Sequence, residues 1–466
     1  MPRIAVAGPS KVVTEAASSV VGKGASVVDV GIVAALTAMC TEPGVCGPGG
    51  GGFLTIDIPG TAPVVIDGYM SYPGRGFVGE PNLKEVTMPY GGGVTTIVGP
   101  GSIAVPGAFA ALHEAWRRFG SLDWSELMEA AALAVEGGFP LSVPCHTYLS
   151  EGATQIFADD PMTAAALLDG DAPVRPGTPI VFEGLAETLR MIGAEGAESF
   201  YRGDLGRLMV EDLSARGSQL TTADLAEYEV EVREPLRAIF GDWSVSLNPP
   251  PAVGGLTVAD TVGLAVDGSD IATAGALVET FRRRRGAGTT VPSTISVAAA
   301  DDAGGAVAAS FSAGYVSGVV PAGTGLLMNN ALGELELVGA EPTPGIRMVS
   351  NMAPSVARSG DDVVAVGSPG ADRITTAVAT TLLRIGAGDD LQKAIEHPRS
   401  HPEFDGNVVQ LAVEPGVLLE GLGLPLRRYD RAHMFFGGVN GAGLIDGELV
   451  AYADPRRTGS VAYAGG

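Results

Sequence analysis

The stretch "STISVAAADDAGGAVAASFSA", residues 293–313, places two runs of small apolar and β-branched residues around a glycine-containing centre. Such a pattern predicts a β-hairpin. With the loop at residues 302–304, residues whose numbers sum to 606 face each other, so Thr294 is expected opposite Ser312 on one face. The pair is either a cross-strand hydrogen bond or a nucleophile with the hydroxyl that orients it. The hairpin alone favours the structural interpretation.

The chain on both sides of this hairpin alternates between helix and strand patterns. Residues 26–42 are apolar nearly all round and predict a buried helix, and residues 232–251 predict a second hairpin that ends at three prolines. Residues 256–290 predict a helix that runs through four arginines into an exposed loop, where a chain can be cut without losing its core. Alternating blocks of this kind predict an α+β protein with two sheets packed between helical layers.

The run "GPGGGGF" at residues 47–53 is the strongest glycine signal in the chain. It lacks the Lys-Ser/Thr pair of a phosphate-binding loop, and it follows a helix rather than opening one. We therefore expect a tight turn in which two backbone segments approach closely, and no nucleotide site.

Composition limits the kind of partner. The 466 residues carry a net charge of −24 and are 46% hydrophobic, which predicts a large core and argues against nucleic acid or an anionic membrane as a partner. No secretory leader is apparent, and the longest apolar run, Val30–Cys40, is too short to span a bilayer. The three cysteines and five histidines lack metal-ligand spacing. We expect a reduced, cytoplasmic protein with no metal and no cofactor.

Blocks of sequence that together cover nearly the whole chain carry a further signal. They are "GASVVDVGIVAALTAMCTEPGVCGPGGGGFLTI" (24–56), the blocks at 102–142 and 200–255, "GYVSGVVPAGTGLLMNNALGELEL" (314–337), "GSPGADRI" (367–374) and "YADPRR" (452–457). These blocks resemble the γ-glutamyltranspeptidases, a family of the N-terminal-nucleophile hydrolase superfamily. The resemblance implies a four-layer αββα sandwich.

The resemblance also implies a precursor that cuts itself just before a threonine. The family's nucleophile lies seven residues before an aspartate that closes its first strand, and Asp301 closes this one, which selects Thr294. The cleaved bond is then Ser293–Thr294, and the products are Met1–Ser293 and Thr294–Gly466. The "GTT" at Gly288–Thr290 is the alternative, and it lies too far upstream.

The chemistry that this implies is self-consistent. An alcohol is a poor nucleophile until a base takes its proton. A free α-amino group, with a pKa of roughly 7.7–8.0, is such a base near neutral pH. By resemblance, Ser312 supplies the hydroxyl that is hydrogen-bonded to the nucleophile, and the backbone N–H groups of Gly370 and Ala371 form the oxyanion hole.

The substrate pocket departs from the family pattern. Tyr69 stands where the family has the arginine that binds the α-carboxylate of a glutamyl group, and tyrosine cannot form that charged, bidentate pair. Arg75 lies six residues further on and reaches the pocket only if the loop folds differently. Gly314 replaces an asparagine that contacts the substrate.

Other pocket positions are retained. Glu334 matches the acid that holds the substrate amine, and Ser350 and Asn351 match a serine pair beside the carboxylate. Amide hydrolysis is therefore the expected activity, whereas selectivity for γ-glutamyl groups is not expected.

Three hypotheses follow. The first is an amidohydrolase or acyltransferase in which Thr294 forms an acyl-enzyme that water or an amine resolves, with a role in glutathione metabolism if the acyl group is γ-glutamyl. The second is an acylase for a peptide-like or secondary-metabolite amide without a glutamyl carboxylate. The third is an unprocessed binding or scaffold protein. The expected partners are a small-molecule amide, the two fragments of one precursor, and a second copy in a homodimer.

Overall fold

The computed structural model describes residues 2–88, 93–265, 267–284, 293–334, 342–405 and 408–466. Its strands are β1 Ile4–Gly8, β2 Gly51–Asp57, β3 Val64–Gly68, β4 Lys84–Met88, β5 Val94–Val98, β6 Phe139–Pro140, β7 Leu168–Asp169, β8 Ala172–Pro173, β9 Pro179–Ile180, β10 Glu231–Arg233, β11 Leu236–Phe240, β12 Trp243–Leu247, β13 Ser293–Asp301, β14 Ala306–Gly314, β15 Ser355–Ser359, β16 Asp362–Gly367, β17 Ser400–Asp405, β18 Val408–Val413, β19 Leu426–Arg428, β20 Asn440–Ile445, β21 Glu448–Ala453 and β22 Ser460–Ala464.

The helices are α1 Lys11–Ser19, α2 Val27–Thr41, α3 Ala108–Phe119, α4 Trp124–Glu136, α5 Val143–Leu149, α6 Ala153–Phe157, α7 Pro161–Leu167, α8 Leu185–Glu195, α9 Glu198–Tyr201, α10 Asp204–Ala215, α11 Thr222–Ala226, α12 Gly254–Leu264, α13 Asp270–Arg284, α14 Arg373–Gly386 and α15 Leu391–Glu396.

Two large sheets form the centre of the described structure. One has the strand order β10-β3-β2-β14-β13-β1-β22, and the other has the order β11-β12-β15-β16-β20-β21. The layer between them is built largely from alanine and valine, which form a buried cluster: Ala298, Ala300, Ala306, Ala308, Val356, Val363, Ala365, Ala442 and Leu444. The alanine runs of β13 and β14 therefore let the two sheets pack closely face to face.

Helices cover the outer faces of both sheets. Helix α2 packs on β13 and β14, whereas α12 packs on β11 and against α14. Ser26 begins α2 with a capping box: its Oγ accepts from the N–H of Asp29, and the Asp29 carboxylate accepts from the N–H of Ser26. The result is the expected four-layer αββα sandwich.

One predicted element differs. The segment expected to form one helix from residue 256 forms two, α12 and α13. They are separated by a turn in which the carboxylate of Asp267 accepts from the N–H of Ser269 at 2.9 Å, and Gly268 has φ 64°. This Asx turn, with a left-handed glycine at its centre, bends the chain between the two helices. The "GTT" at 288–290 and the rest of the predicted loop lie outside the described residues.

Two backbone segments approach closely at the glycine run, as predicted. A Cβ on Gly50 would lie 2.3 Å from the carbonyl oxygen of Ser312, and a Cβ on Gly52 would lie 2.2 Å from that of Ser310. Both glycines lie beside β14, so the run brings β2 and its preceding turn against the strand that carries Ser312.

The described residues contain no helix long and apolar enough to cross a membrane. No group of three or more His, Cys, Asp or Glu side chains among them is arranged to hold a metal ion. The three cysteines, Cys40, Cys46 and Cys145, are free and buried.

Candidate active site

The β13–β14 hairpin positions Thr294 by means of a bulge. From Ile295 onward the ladder has the predicted register, with Ile295 opposite Phe311, but Ser293 pairs with Gly314 and the register shifts between them. The extra residue on β14 leaves Thr294 facing both Ser312 and Ala313. The expected regular pairing of Thr294 with Ser312 is therefore not formed, although the two remain neighbours. Bulges of this kind redirect side chains next to active sites.

Thr294 is buried, with 1% of its surface exposed, and the chain runs continuously into it from Ser293 within β13. Its Oγ1 has no hydrogen-bond partner among the described residues. Ser312 is also buried, and its Oγ accepts from the N–H of Gly314 at 3.1 Å. A buried hydroxyl without a partner is costly, so the position of Thr294 calls for a functional explanation.

A cavity of about 30 Å³ adjoins Thr294 and is also lined by Pro369 and Gly438. This is room for about one or two water molecules. Its lining also includes the ionisable residues Glu42, Asp454 and Arg457 and the polar residues Ser296 and Asn440. The threonine and the turn that contains Pro369 thus share one cavity.

That turn joins β16 to α14 and contains the predicted oxyanion donors. Gly370 has φ 127° and Ala371 has φ 62°, so Ala371 adopts a left-handed conformation that alanine tolerates. Neither the N–H of Gly370 nor that of Ala371 donates a hydrogen bond to another described residue. The Oγ of Ser368 accepts from the N–H of Gly438 at 3.0 Å and holds the turn beside the cavity. Two backbone donors without partners at a cavity are suited to an oxyanion.

Tyr69 forms a second buried group with the predicted substrate residues. Its ring stacks on Phe53 with 5.5 Å between ring centroids, and the Ser350 side chain lies close enough to the phenol to favour a lower pKa. Burial raises the pKa of Tyr69 well above its ordinary value, and the nearby Glu334 carboxylate raises it further. Tyr69 is therefore a neutral hydroxyl, and it supplies no positive charge.

Glu334 lies close to Gly314, which follows the bulge. A Cβ on Gly314 would lie 3.3 Å from the carboxyl carbon of Glu334 and 2.3 Å from Oδ1 of Asn330. Gly314 therefore leaves the room that a side chain would fill beside the predicted acid. The described lining of the Thr294 cavity does not include Tyr69, Glu334, Ser350 or Asn351.

Arg284, which the sequence interpretation placed with an exposed loop, reaches the predicted substrate residues. The last residue of α13, it donates to Oγ1 of Thr257 at 3.0 Å and to Oδ1 of Asn351. Burial lowers the pKa of its guanidinium, and the Asp372 carboxylate opposes that effect. The sequence could indicate this residue only through the run of four arginines, and the run does not distinguish which arginine points inward.

A charged cluster directly after the Gly370–Ala371 turn was also missed. The carboxylate of Asp372 lies 2.9 Å from the guanidinium of Arg373 and 3.5 Å from Nε2 of His401. Burial would raise the pKa of Asp372, but these neighbours hold it well below its ordinary value. The cluster fixes the start of α14 and therefore the turn before it.

Arg75 does not replace the missing arginine. Its guanidinium lies 3.0 Å from the carboxylate of Glu227 and 3.9 Å from that of Asp224, in a different pocket. The loop does not fold in the way that would bring Arg75 to Tyr69 and Ser350, so the substitution at position 69 is not compensated from position 75.

Comparison with known proteins adds the family relationship. The family model described as gamma-glutamyltranspeptidase matches residues 13–275 and 269–464. The chain is similar to the acylase ACY 1 proenzyme of Pseudomonas sp. strain V22, with 28% identity over 511 residues that cover 95% of this chain and 90% of the relative. It is also similar to the glutathione hydrolase 5 proenzyme of Mus musculus, with 26% identity and coverage of 87% and 82%.

Among solved structures, the chain resembles cephalosporin acylase from Bacillus halodurans. The TM-score is 0.81, the identity is 22%, and the match covers 99% of this chain and 96% of that one. This likeness concerns the fold, in which both chains share the αββα layers.

Proposed function

The chain belongs to the γ-glutamyltranspeptidase family, and from that premise we propose that it is a self-processing amidohydrolase or acyltransferase with Thr294 as its nucleophile. The observation that carries the proposal is the cavity lined by both Thr294 and Pro369, the residue directly before Gly370 and Ala371. The buried hydroxyl has no partner among the described residues, and the N–H groups of Gly370 and Ala371 donate to no acceptor in the described part of the chain. Acyl transfer needs a nucleophile and a set of oxyanion donors close to the same substrate carbonyl.

Maturation is the first step of the proposed mechanism. The Oγ1 of Thr294 attacks the carbonyl carbon of Ser293, the C–N bond breaks, and the Thr294 nitrogen takes a proton, which leaves an ester. Water then hydrolyses the ester and restores the hydroxyl, now beside a free α-amino group. The products are Met1–Ser293 and Thr294–Gly466.

Turnover uses the same hydroxyl. The free amine takes the proton from Oγ1 as that oxygen attacks the amide carbonyl of the substrate. The N–H groups of Gly370 and Ala371 stabilise the resulting oxyanion, and the leaving amine departs with the proton. Water or a second amine then resolves the acyl-enzyme by the reverse sequence. The uncut chain does not show the expected hydrogen bond from Ser312 to Thr294 Oγ1. In the proposed mechanism the neighbouring Ser312 hydroxyl makes that bond after cleavage has freed Thr294.

A denaturing gel and N-terminal sequencing test the proposal. The 47.2-kDa chain should yield fragments of about 30 and 17 kDa, and the smaller should begin Thr-Ile-Ser-Val. Thr294→Ala should abolish both cleavage and amide hydrolysis. The matched control is Thr290→Ala, which changes the alternative "GTT" threonine and should leave cleavage intact.

Other results would contradict the proposal in distinct ways. Cleavage that persists in Thr294→Ala would place the nucleophile elsewhere. A single uncut band after prolonged incubation of the wild-type chain, with no amide turnover, would favour the binding or scaffold hypothesis.

A second candidate function is favoured by Tyr69. Because a neutral phenol stands where the family has an arginine, an acylase for uncharged acyl groups is the alternative. Comparing a γ-glutamyl anilide with uncharged acyl anilides separates the two candidates. Faster turnover of the uncharged anilides would support the alternative.

A further inference from the structure

The cavity beside Thr294 is lined by residues whose polar atoms lack partners. Oε1 of Glu42, Oγ of Ser296 and Nε of Arg457 are buried, and none of them has a hydrogen-bond partner among the described residues. Oγ1 of Thr294 is in the same condition. Buried waters bind where several polar groups are otherwise unsatisfied, and the cavity of about 30 Å³ has room for about one or two of them. The cavity is therefore suited to bind water.

The two acids in the described lining of this cavity differ in their bonding. Oδ2 of Asp454 pairs with Arg399 at 2.8 Å, and Oδ1 accepts from the N–H of Arg456 at 3.0 Å. Glu42 instead uses Oε2, which accepts from two neighbouring side chains. Because Glu42 is 3% exposed, bulk solvent does not satisfy its Oε1. Glu42 is thus the acid that retains an oxygen for a molecule in the cavity.

Ser10 adds a second group beside the Glu42 carboxyl. Its side chain lies near enough to that carboxyl to favour a lower pKa, yet Oγ of Ser10 is also buried without a hydrogen-bond partner in the described part of the chain. Pro9, the residue before it, lines the cavity. A water that bridges Oγ of Ser10 and Oε1 of Glu42 would satisfy both atoms.

The cavity gives water a route to the nucleophile that is separate from the predicted substrate residues. Its described lining extends from Pro9, Pro144 and Gly459, which are half-buried, to Thr294, which is 1% exposed. The predicted substrate residues around Tyr69 are not part of that lining. Water can therefore enter along one set of residues and the substrate along another.

The cavity also adjoins the predicted oxyanion donors. Pro369, directly before Gly370, lines it together with Thr294. A Cβ on Gly370 would lie 3.5 Å from Nη2 of Arg457, another lining residue. A water in the cavity is therefore close to the groups that stabilise the oxyanion formed when water adds to an ester.

We propose that this cavity binds the water that hydrolyses the ester during maturation, and that Glu42 positions that water. The inference rests on the proposed self-processing function and adds a positioning residue to it. The water oxygen bonds to the carbonyl carbon of Ser293, the bond from that carbon to Oγ1 of Thr294 breaks, and one water proton passes to Oγ1. The Ser293 carboxyl group then gives its proton to the freed amine. Oε1 of Glu42 accepts a hydrogen bond from the water and so orients its oxygen toward the ester.

The first test measures the rate of precursor cleavage on a denaturing gel. Glu42→Met removes Oε1 but keeps a side chain of similar length, and it should slow cleavage by about 10- to 100-fold. Glu42→Gln keeps an oxygen acceptor and should lose less. The matched control is Ser142→Ala, which removes a hydrogen bond to Oε2 and leaves Oε1 in place. It should cleave at the wild-type rate.

Hydroxylamine distinguishes a missing water from a distorted site. It attacks esters without a group that positions it, so it should restore cleavage of Glu42→Met between Ser293 and Thr294. Cleavage of Glu42→Met at the wild-type rate would overturn the role of Glu42. So would slow cleavage that hydroxylamine does not restore, because the substitution would then have disturbed the formation of the ester.

A crystal structure of the uncut Thr294→Ala chain supplies a readout that does not depend on cleavage. We expect an ordered water within hydrogen-bond distance of Oε1 of Glu42, and Glu42→Met in the same background should lose it. A cavity without ordered water would overturn the inference. A wild-type chain that stays uncut with or without hydroxylamine, while the water is present, would instead contradict the proposed function and leave the water site supported.

Discussion

Ala371 illustrates how one residue constrains the candidate oxyanion site. With φ 62° it occupies a region that costs an ordinary residue about 1–2 kcal/mol. The turn accepts this strain between β16 and α14, beside the cavity at Thr294. The sequence identified the position but could not tell whether a Cβ is compatible with the turn, because that depends on the dihedral angle.

Ala371→Gly should therefore raise the free energy of unfolding by up to about 1 kcal/mol, since glycine adopts positive φ without strain. Anilide turnover should persist, because glycine retains the backbone N–H. The control is Ala365→Gly in the extended strand β16, which should lower stability by about 1 kcal/mol. Urea unfolding in the uncut Thr294→Ala chain measures both changes. A loss of stability in Ala371→Gly would contradict the assigned strain.

Glu42 is a buried acid at the wall of the same cavity. Its Oε2 accepts from Oγ of Ser142 at 3.0 Å and from Sγ of Cys145 at 2.9 Å. Burial raises the pKa of Glu42, although these hydrogen bonds oppose the rise. The folded state therefore binds the proton more tightly than the unfolded state, and stability from this group falls as pH rises above roughly 4.3.

Glu42→Gln removes that titration. Its free energy of unfolding relative to wild type should increase as the pH rises from 4 to 7, because only the wild type then loses the stability that the protonated Glu42 contributes. Urea unfolding at a series of pH values, again in the Thr294→Ala chain, measures the difference. A difference that stays constant with pH would show that Glu42 does not titrate in this range.

At the scale of elements, the sequence predicts the strands, turns and pairing that depend on neighbouring residues in the chain. The hairpin centre predicted β13, β14 and their register from Ile295 onward, because a three-residue loop determines which residues pair. The bulge at Thr294 could not be predicted, because its extra residue lies on β14 where that strand also pairs with the distant β2. The inward turn of Arg284 was missed for a similar reason: its partner Asn351 lies 67 residues away.

The glycine run provides a test of element packing. A Cβ on Gly52 would lie 2.2 Å from the carbonyl oxygen of Ser310 and 2.6 Å from the ring of Phe311. Gly52→Ala should therefore push β2 from β14 and lower the free energy of unfolding by about 1–3 kcal/mol or more. The control is Gly275→Ala in the middle of α13, where an added Cβ would have no described atom within 4 Å apart from adjacent residues and the backbone of its own helix. A gain of up to about 1 kcal/mol is expected there. Equal effects of the two substitutions in urea unfolding would contradict the close approach.

At the scale of the whole molecule, the proposed fragments interleave. In the first sheet, β14 and all of β13 but Ser293 belong to the fragment Thr294–Gly466. They lie between β2 and β1 of the fragment Met1–Ser293. In the second sheet, β12 of the first fragment pairs with β15 of the second. Neither fragment contains either of the two large sheets whole, so each depends on the other for backbone hydrogen bonds and core packing in both sheets.

Cleavage should therefore leave the two fragments bound together. Separating them would expose the buried alanine layer to water and break the hydrogen bonds of the β2–β14 and β1–β13 pairs. Cutting one peptide bond leaves all of these interactions in place, so the free energy still favours the associated fragments. On gel filtration without denaturant, the fragments of about 30 and 17 kDa should elute as one species of 47.2 kDa or a multiple of it. In denaturant the same sample should separate into two. The uncut Thr294→Ala chain is the control for elution position, and native elution of free fragments would contradict the interleaved sheets.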